Sequence, residues 1–435
     1  MRHSTGAHKN TISQESTNSA EFDIIIIGAG ISGLYFNYKL KQLRPKLRTL
    51  LLERDKIGGR AGNEEFYGAN VVTGAGIGRH KKDQILLKLI QEFQLETHSF
   101  IATKKHIGSV KIDAGAIFSE LKSEFKKRGE PVFEFKKFAR EIIGPKNYQA
   151  FLETVGYTDF EKEDCYEVLN HYGMADNYKT FRAFSVPWAQ LVDSLANYIT
   201  KNSQNNLIAH ENVISINRKQ PKNKGNQEIY KNCHSQIEVE TNRAKYKCAH
   251  LVIATDIDSI RYLLDPIVST SNPKIYRGIK GQPFIRTYGK FTAASTKLIM
   301  SKITEATCVI SPLQKIIPMA NGVYMIAYAD NASAIYLSKF SEDTPQNRAK
   351  YSGLLYSAIG LQLEIIAIKS YFWKNGTHYY SPISGSRIEF LSHIREPANG
   401  IHVIGEAVSR DQGWTKGALE TAQELIFKLG KSLPK

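Results

Sequence analysis

The stretch Phe22–Leu34, FDIIIIGAGISGL, constrains the fold of this chain more than any other. Four consecutive isoleucines run into glycines, and a short β-branched apolar run of this kind is typical of a buried strand in a parallel sheet. Ile31, Leu34 and Tyr38 then fall at helical spacing. The pattern therefore predicts a strand, a tight glycine turn and a helix, which is the context in which GxGxxG binds a dinucleotide.

Glycine is needed at each position of the motif for a different physical reason. Gly28 permits the tight turn, Gly30 lets a pyrophosphate approach the backbone, and Gly33 lets the helix pack closely on the strand. The start of the helix then directs free N–H groups at the phosphates. A second apolar strand, Leu50–Leu52, ends at Glu53, whose carboxylate can accept both ribose hydroxyls of an adenosine. These features predict a dinucleotide site without distinguishing FAD from NAD.

Composition places the chain among globular proteins with room for two domains. Its 435 residues are 42% hydrophobic and 10% aromatic, which is ordinary for such proteins. No apolar run reaches the roughly 18 residues of a membrane span, so we expect no transmembrane segment. Residues 1–20 are rich in Ser, Thr, Asn and His and lack an apolar stretch, which predicts a disordered tail rather than a secretory signal.

The cysteines point to a reducing compartment. None of them has CxxC spacing, which argues against zinc and gives no disulfide framework; they are Cys165, Cys233, Cys248 and Cys308. We therefore expect the cytoplasm or another reducing intracellular compartment, with the virion as a further location if the protein is viral.

The net charge of +16 is the unusual feature of the composition. Residues 101–150 hold eleven Lys or Arg against six Asp or Glu. Such an excess suits nucleic acid or an anionic surface, but no nucleic-acid-binding motif accompanies it, and a solvated basic exterior is the simpler interpretation. A strongly positive field also repels a cationic substrate unless local carboxylates offset it.

The segment LLERDKIGGRAG favours FAD. Its glycine pair lets the chain pass close to a ligand, and Arg60 can bind a phosphate through two parallel bonds. The segment resembles the second-strand segment of the flavin amine oxidase superfamily, which includes monoamine, polyamine and L-amino-acid oxidases. That resemblance implies that Gly59 and Arg60 lie near the pyrophosphate of FAD.

Two further segments resemble FAD-contacting parts of the same superfamily. YGANVVTGAGIG, over 67–78, is similar to the segment beside the isoalloxazine ring, which implies that Gly74 and Ala75 lie near the flavin. The order N-V-x-x-I, hairpin, A-x-x-V-I-A-T over 212–255 is similar to the second section of the FAD domain. By that resemblance the backbone at Val213 contacts the adenine.

The C-terminal segment carries the most specific resemblance. Gly400–Ala407 predicts a strand that ends in Gly-Glu, and Gln412–Ala422 predicts a glycine-rich entry into a helix. Together they resemble the C-terminal FAD segment of monoamine oxidase. This implies that Gly405 and Glu406 face the ribityl chain and that the helix start near Ala418 faces the flavin pyrimidine, where its dipole would stabilise the anionic reduced flavin.

These segments predict an α/β fold, with a Rossmann-like FAD-binding domain of the glutathione reductase type and an interleaved α+β substrate domain. We assign residues 21–80, 205–265 and 396–432 to the FAD-binding domain. Residues 81–204, which lean towards helix, and 266–395, which predict a mixed sheet, form the substrate domain. The latter region resembles the divergent amine-oxidase-like proteins of large DNA viruses.

The resemblance also implies the chemistry of the site. The superfamily oxidises a C–N bond by hydride transfer from the substrate α-carbon to flavin N5, and oxygen reoxidises the flavin to give hydrogen peroxide. Many members form an aromatic cage, for which Trp414 is one ring and Tyr379 or Tyr380 the other. Many members also use a lysine to hold a water at N5; Lys290 matches it by spacing, and Lys297 matches it by local sequence.

One departure from the superfamily concerns the flavin linkage. Monoamine oxidases attach the flavin through a cysteine in the C-terminal segment, and this chain has no cysteine after Cys308. We therefore expect non-covalent FAD, with a link through His378 as the alternative.

The sequence leaves three functions open. The first is an FAD-dependent amine oxidase acting on a small amine with oxygen as acceptor. The second is an FAD-dependent dehydrogenase or desaturase that uses another acceptor. The third is a flavin-binding structural or binding protein without turnover, which uses its basic surface for nucleic acid or for assembly.

Overall fold

The computed structural model describes residues 20–108, 112–201, 205–218, 237–268 and 275–432. The tail predicted for residues 1–20 lies outside these ranges except for Ala20, which begins the first strand. In chain order the strands are β1 (Ala20–Ile27), β2 (Thr49–Leu52), β3 (Asn63–Phe66), β4 (Ala69–Val72), β5 (Gly78–Arg79), β6 (Ser99–Ala102), β7 (Lys105–Ile107), β8 (Phe181–Phe184), β9 (Asn205–Ile208), β10 (Val213–Arg218), β11 (Ile237–Thr241), β12 (Lys245–Ile253), β13 (Ile279–Phe291), β14 (Thr307–Val309), β15 (Lys315–Pro318), β16 (Val323–Asp330), β17 (Ile365–Tyr380) and β18 (Ile401–Val403).

Twelve helices lie between these strands or follow them in the described ranges. They are α1 (Ile31–Leu43), α2 (Gln84–Glu92), α3 (Ala114–Lys127), α4 (Phe135–Val155), α5 (Cys165–Asn170), α6 (Trp188–Thr200), α7 (Ile257–Val268), α8 (Ala293–Lys302), α9 (Asn331–Ser338), α10 (Pro345–Ile359), α11 (Arg387–Arg395) and α12 (Thr415–Ser432). No helix in the described ranges is both long enough and apolar enough to cross a membrane.

The first sheet brings the predicted dinucleotide segments to one edge. Its order is β10-β11-β12-β1-β2-β9, and β18 also pairs with β12. β1 pairs in parallel with both β12 and β2, and the end of β12 pairs in parallel with β18. Because parallel strands end at the same edge of a sheet, Gly28, Glu53 and Gly405, which follow three of these strands, meet there.

Both faces of this sheet are covered, which explains the unbroken isoleucine run of β1. Ile24 and Ile26 belong to an apolar cluster with residues of α1, α6 and α12. Ile25 and Ile27 point to the opposite face and belong to a second cluster that includes residues of α7. Burial on both faces therefore replaces the alternating pattern of a half-exposed strand.

A second sheet has the order β17-β13-β16-β15-β14-β7. β13 pairs antiparallel with both β16 and β17, and all three strands lie within residues 266–395, for which the sequence predicts a sheet. The short strand β7, from early in the chain, pairs in parallel with β14 at the far edge. This pairing places residues near position 105 beside residues near position 308.

A helical layer built from α3, α4 and α5 has its own aromatic core. Phe135, Phe138 and Phe151 are buried there, whereas Phe133 is 41% exposed. The first sheet draws its strands from three separate parts of the chain, and the second sheet draws on two. The segment boundaries assigned from the sequence remain a prediction.

Candidate functional site

The glycine turn after β1 has the close contacts that its motif requires. Gly28 has a φ of +103°, and a Cβ there would lie 2.5 Å from the carbonyl oxygen of Ala254. A Cβ on Gly33 would lie 2.0 Å from the carbonyl oxygen of Gly28, so α1 packs directly on the turn. Gly30 differs, because a Cβ there would meet no heavy atom within 4 Å. The turn thus leaves open space beside Gly30, where a pyrophosphate would approach.

Glu53 stands at the end of β2 beside this turn. Its carboxylate accepts hydrogen bonds from the backbone N–H groups of Ala29 and Asp55, both at 2.8 Å. The N–H of Gly58 donates to the carbonyl of Ala29 at 2.8 Å, so the second glycine segment is tied to the first. These contacts fix the Glu53 carboxylate at the mouth of the turn.

A cavity of about 1830 Å³ connects this turn to the second sheet. That volume exceeds the roughly 300–1,000 Å³ of a typical small-ligand pocket. The sequence-predicted residues that line it are Gly28, Gly30, Glu53, Gly59, Arg60, Gly74, Ala75, Val213, Gly405, Glu406, Trp414 and Ala418. The opposite end, which we call the distal end, is lined by Tyr157, Asp159, Cys308, Lys315 and Tyr328.

Side chains from several elements hold the segment Gly74–Gly76 along the middle of the cavity. The guanidinium of Arg286, on β13, donates to the carbonyl of Gly74 at 2.9 Å. The indole N–H of Trp188 donates to the carbonyl of Gly76, and that of Trp373 donates to the carbonyl of Thr73, both at 2.8 Å. The segment predicted to lie beside the flavin is therefore rigidly placed.

The buried side chain of Glu406 connects three parts of the site through hydrogen bonds. Its carboxylate accepts four hydrogen bonds: from the backbone N–H and Nδ1 of His378 at 2.8 and 2.6 Å, from the N–H of Gly413 at 2.7 Å, and from Arg60 at 3.2 Å. Nε2 of His378 accepts from the backbone N–H of Ile257 at 3.3 Å, which fixes the proton on Nδ1. All acceptor positions of the carboxylate are thus filled by the protein.

Burial alone would raise the pKa of Glu406, but its interactions with His378, Arg60 and the Gly413 N–H outweigh burial and hold that pKa well below the usual value. A lowered carboxyl pKa contributes stability above the unfolded-state pKa, and this contribution is lost as the pH falls below it.

We therefore expect a pH-dependent difference between the wild type and Glu406→Gln. The wild type should be the more stable by about 2 kcal/mol near pH 6, with the difference shrinking as the pH falls below about 4. Urea unfolding of both proteins across this range measures it. A difference that stays constant with pH would contradict the assignment.

Trp414 is held by an ionic cluster at the edge of the cavity. Its indole N–H donates to Asp83 at 3.1 Å, and the guanidinium carbon of Arg79 lies 4.1 Å from the ring centroid. Arg79 is buried and pairs with both Asp83 and Asp176 at 3.0 Å. The predicted cage residue therefore lines the cavity with its ring held by Asp83 and Arg79.

The structure does not bring the predicted lysines to the cavity. Lys290 donates to the carbonyl of Asn321 at 2.5 Å, Lys297 is exposed on α8, and neither lines the cavity. Arg286 lies four residues before Lys290 on β13, about 13 Å back along the strand. Arg286, and not either lysine, contacts the Gly74 segment.

The predicted tyrosines also lie away from the cavity. Tyr380 is buried in the core and donates to the carbonyl of Ser409 at 2.8 Å, and Tyr379 is half-buried without lining the cavity. Tyr371 and Trp373, earlier on the same strand, do line it. Only part of the 16-residue strand β17 borders the cavity, and the aligned tyrosines lie beyond that part.

The cavity residues that the sequence did not predict include Arg286, Lys315 and Asp159. Arg286 interrupts an apolar strand and Lys315 begins one, so a cation within a buried strand was an available signal. Asp159 lies in a loop and gave no such signal. In the described ranges, no group of three or more His, Cys, Asp or Glu side chains is arranged to hold a metal.

Comparison with known proteins agrees with this architecture. A family model described as an NAD(P)-binding Rossmann-like domain matches residues 26–93. An uncharacterised protein of Acanthamoeba polyphaga mimivirus is 20% identical over 494 aligned residues, covering 95% of this chain and 94% of its own length.

Two solved amine oxidases share the fold over nearly the whole chain. Cyclohexylamine oxidase from Brevibacterium oxydans superposes with a TM-score of 0.72 at 15% identity, covering 95% of this chain and 100% of its own. Wild-type putrescine oxidase bound to putrescine superposes with a TM-score of 0.70 at 13% identity, covering 94% and 99%.

These comparisons confirm the predicted fold class, a mixed α/β architecture with a Rossmann-like dinucleotide-binding domain. The resemblance to flavin amine oxidases is confirmed at the level of the fold. The mimivirus relative fits the resemblance to proteins of large DNA viruses.

Proposed function

We propose that this chain is an FAD-dependent oxidoreductase of the amine oxidase type that oxidises a C–N bond of a small amine. The observation that carries the proposal is the cavity itself. It joins the glycine turn and Glu53 to Gly74–Gly76 and Trp414, in the fold of two amine oxidases. A dinucleotide lying along the turn would reach the middle of the cavity and leave the distal end for substrate.

The residues present fit FAD. The open space at Gly30 admits a pyrophosphate, and the Glu53 carboxylate lies where it can accept ribose hydroxyls. Helix α12 begins at Thr415, which lines the cavity, so its first N–H groups are available to a negatively charged ring. When bound, FAD would supply the hydride acceptor and pass the electrons to oxygen or another acceptor.

We infer that the cofactor is bound without a covalent link. The cysteine that lines the cavity among the described residues is Cys308, at the distal end. His378, the alternative attachment point, is buried with both ring nitrogens engaged by Glu406 and Ile257. Neither side chain offers a free nucleophilic atom near Gly74–Gly76.

Arg286 is proposed to take the place expected for the lysine. It is buried, contacts the Gly74 carbonyl, and lies over the ring of Tyr328 with its guanidinium carbon 4.1 Å from the centroid. The guanidinium thus stands between the flavin segment and the distal end. From there it can hold a water or a substrate atom by hydrogen bonding.

We expect Arg286→Met to retain FAD and to slow anaerobic flavin reduction roughly 100-fold, because a positioned donor at the reacting centre is lost. Arg286→Lys should recover part of the rate, and Arg277→Met, at an exposed arginine, should match the wild type. Stopped-flow absorbance measures these rates. Equal rates for Met and Lys at position 286 would contradict the role.

The experiment that tests the function is anaerobic addition of a panel of amines to the purified protein while its flavin absorbance is recorded. Bleaching that reverses on admission of air supports the oxidase. Bleaching that persists in air but reverses with an added electron acceptor indicates the dehydrogenase alternative. Failure of every amine to bleach the flavin would contradict the proposal.

A further inference from the structure

Strand register places a row of polar side chains at the distal end of the cavity. Cys308 of β14 lies opposite His106 of β7 on one side and Lys315 of β15 on the other. Residues directly opposite on neighbouring strands project to the same face of a sheet. Cys308 and Lys315 line the cavity, and Lys104, two residues before His106, lines it as well.

Lys315 is a buried lysine of this row without an ion-pair partner among the described residues. The residue is 6% exposed, and its ammonium lies 2.7 Å from the ring centroid of Tyr157. Throughout the described ranges its ammonium makes no hydrogen bond or ion pair. A buried ammonium is costly unless paired. Its position on the cavity wall allows a bound ligand to supply the missing partner.

Burial lowers the pKa of Lys315, and the charges of Asp330 and Asp159 oppose this shift without either carboxylate forming an ion pair with the ammonium. Asp330 is fully buried, does not line the cavity, and is saturated by hydrogen bonds from Thr158, Asp159 and Gln314. Asp159 lines the cavity and accepts from the Tyr172 hydroxyl at 2.5 Å. Burial and the charge of Asp330 raise the pKa of Asp159 to about 7, which favours the neutral form of this carboxyl.

Two further features indicate a positive potential at the distal end. Arg286 and Lys104 add cationic charge to the same part of the cavity. Burial alone would raise the pKa of the Cys308 thiol, yet His106, Lys315 and Lys104 together lower it, so a negative charge is stabilised at this point of the row.

We propose that the distal end binds a carboxylate group of the substrate through Lys315. On the proposed function, on which this inference rests, the preferred substrates are then amino carboxylates rather than alkylamines or diamines. Putrescine carries a second ammonium at its far end, so a site for putrescine must accept a positive charge there. The distal end of this cavity would instead select a negative charge. The net charge of +16 would also favour the approach of an anionic substrate.

The test uses probes with a common carbon chain. The three probes differ only at the end remote from the amine that would be oxidised. That end is a carboxylate in 4-aminobutyrate, a methyl group in n-butylamine and an ammonium in putrescine. Their three- and five-carbon homologues cover the spacing. Butyrate, which has no amine to oxidise, reports on the carboxylate site alone. Calorimetry gives dissociation constants with the purified holoprotein, and anaerobic absorbance gives rates of flavin reduction.

We expect the wild type to bind butyrate more tightly than butylamine and to be reduced fastest by the amino carboxylates. Lys315→Met should weaken butyrate binding about 10- to 100-fold, the range for losing one charge-assisted bond. Lys315→Arg should keep most of the affinity. Lys280→Met, at an exposed lysine of the same sheet outside the cavity, should match the wild type.

Butyrate binding that is unchanged in Lys315→Met, or a wild type that prefers putrescine or butylamine to 4-aminobutyrate, would overturn the inference. If no probe reduces the flavin but butyrate binding still depends on Lys315, the proposed oxidase fails and the carboxylate site stands. If Lys315→Met does not fold, the ranking of probes in the wild type and in Lys315→Arg decides the question.

Discussion

Replacing Gly33 with alanine is expected to lower the free energy of unfolding by about 3 kcal/mol or more. The added Cβ would lie 2.0 Å from the carbonyl oxygen of Gly28 and 3.4 Å from the Cβ of Ala254. The carbonyl belongs to the backbone of the glycine turn and cannot rotate away, so α1 would have to move off β1. Urea unfolding followed by circular dichroism measures the loss.

Gly30→Ala is the matched control, three residues earlier in the same turn. Gly30 has φ −71° and ψ 177°, which any residue adopts, and a Cβ there meets nothing within 4 Å. Its stability should stay within about 0.5 kcal/mol of the wild type. Its affinity for FAD should fall about 10- to 100-fold, because the methyl group occupies the space that a pyrophosphate needs. A stable Gly33→Ala variant, or full FAD affinity in Gly30→Ala, would refute the assigned roles.

Glu53→Ala is expected to release FAD, with a loss of affinity of about 100-fold or more. A carboxylate that accepts two ribose hydroxyls makes two charge-assisted hydrogen bonds, each contributing about 1.5–3 kcal/mol. The change removes both acceptors and also the bonds to the N–H groups of Ala29 and Asp55. The FAD content of the purified variant and its dissociation constant for added FAD are the measurements.

Glu65→Ala serves as the control for Glu53, since Glu65 is an exposed carboxylate on β3. It should bind FAD like the wild type. Unfolding of both variants in the absence of cofactor separates a loss of binding from a loss of folding. Stoichiometric FAD in Glu53→Ala would count against the ribose assignment.

The dinucleotide end of the site was predictable because its determinants are local. Gly28, Gly30 and Gly33 lie within six residues. Their spacing specifies the tight turn, the approach of a pyrophosphate to the backbone and the packing of the helix on the strand. Glu53 follows from the same logic, since it ends the neighbouring parallel strand. These features depend on backbone geometry that the sequence pattern specifies directly.

The substrate end was not predictable, because it depends on register between distant strands. Lys315, Cys308 and His106 meet only because β7 pairs with β14 and β14 with β15, and nothing in the sequence near position 105 indicates that partner. Two features of β13 decide whether the side chain of Arg286 or that of Lys290 reaches the cavity. They are the register shift between Thr287 and Tyr288 and the length of the strand. Spacing along the chain favoured Lys290, whereas the fold brings Arg286.

Glu406 shows a third kind of difference between sequence and structure. The motif predicts a contact to the ribityl chain, and the structure shows a carboxylate whose four hydrogen bonds join β17, Arg60 and the Gly413 turn. The sequence motif indicates that a glutamate at this position contributes to the site. It does not say whether the side chain faces the ligand or organises the groups that do.

The most direct test of the central claim is the cofactor content of the purified wild-type protein. The protein is denatured, and the released cofactor is identified by chromatography and quantified against the chain. We expect one FAD per chain, released without proteolysis. A protein that carries no flavin and fails to take up added FAD, or that binds NAD(P) in its place, would contradict it.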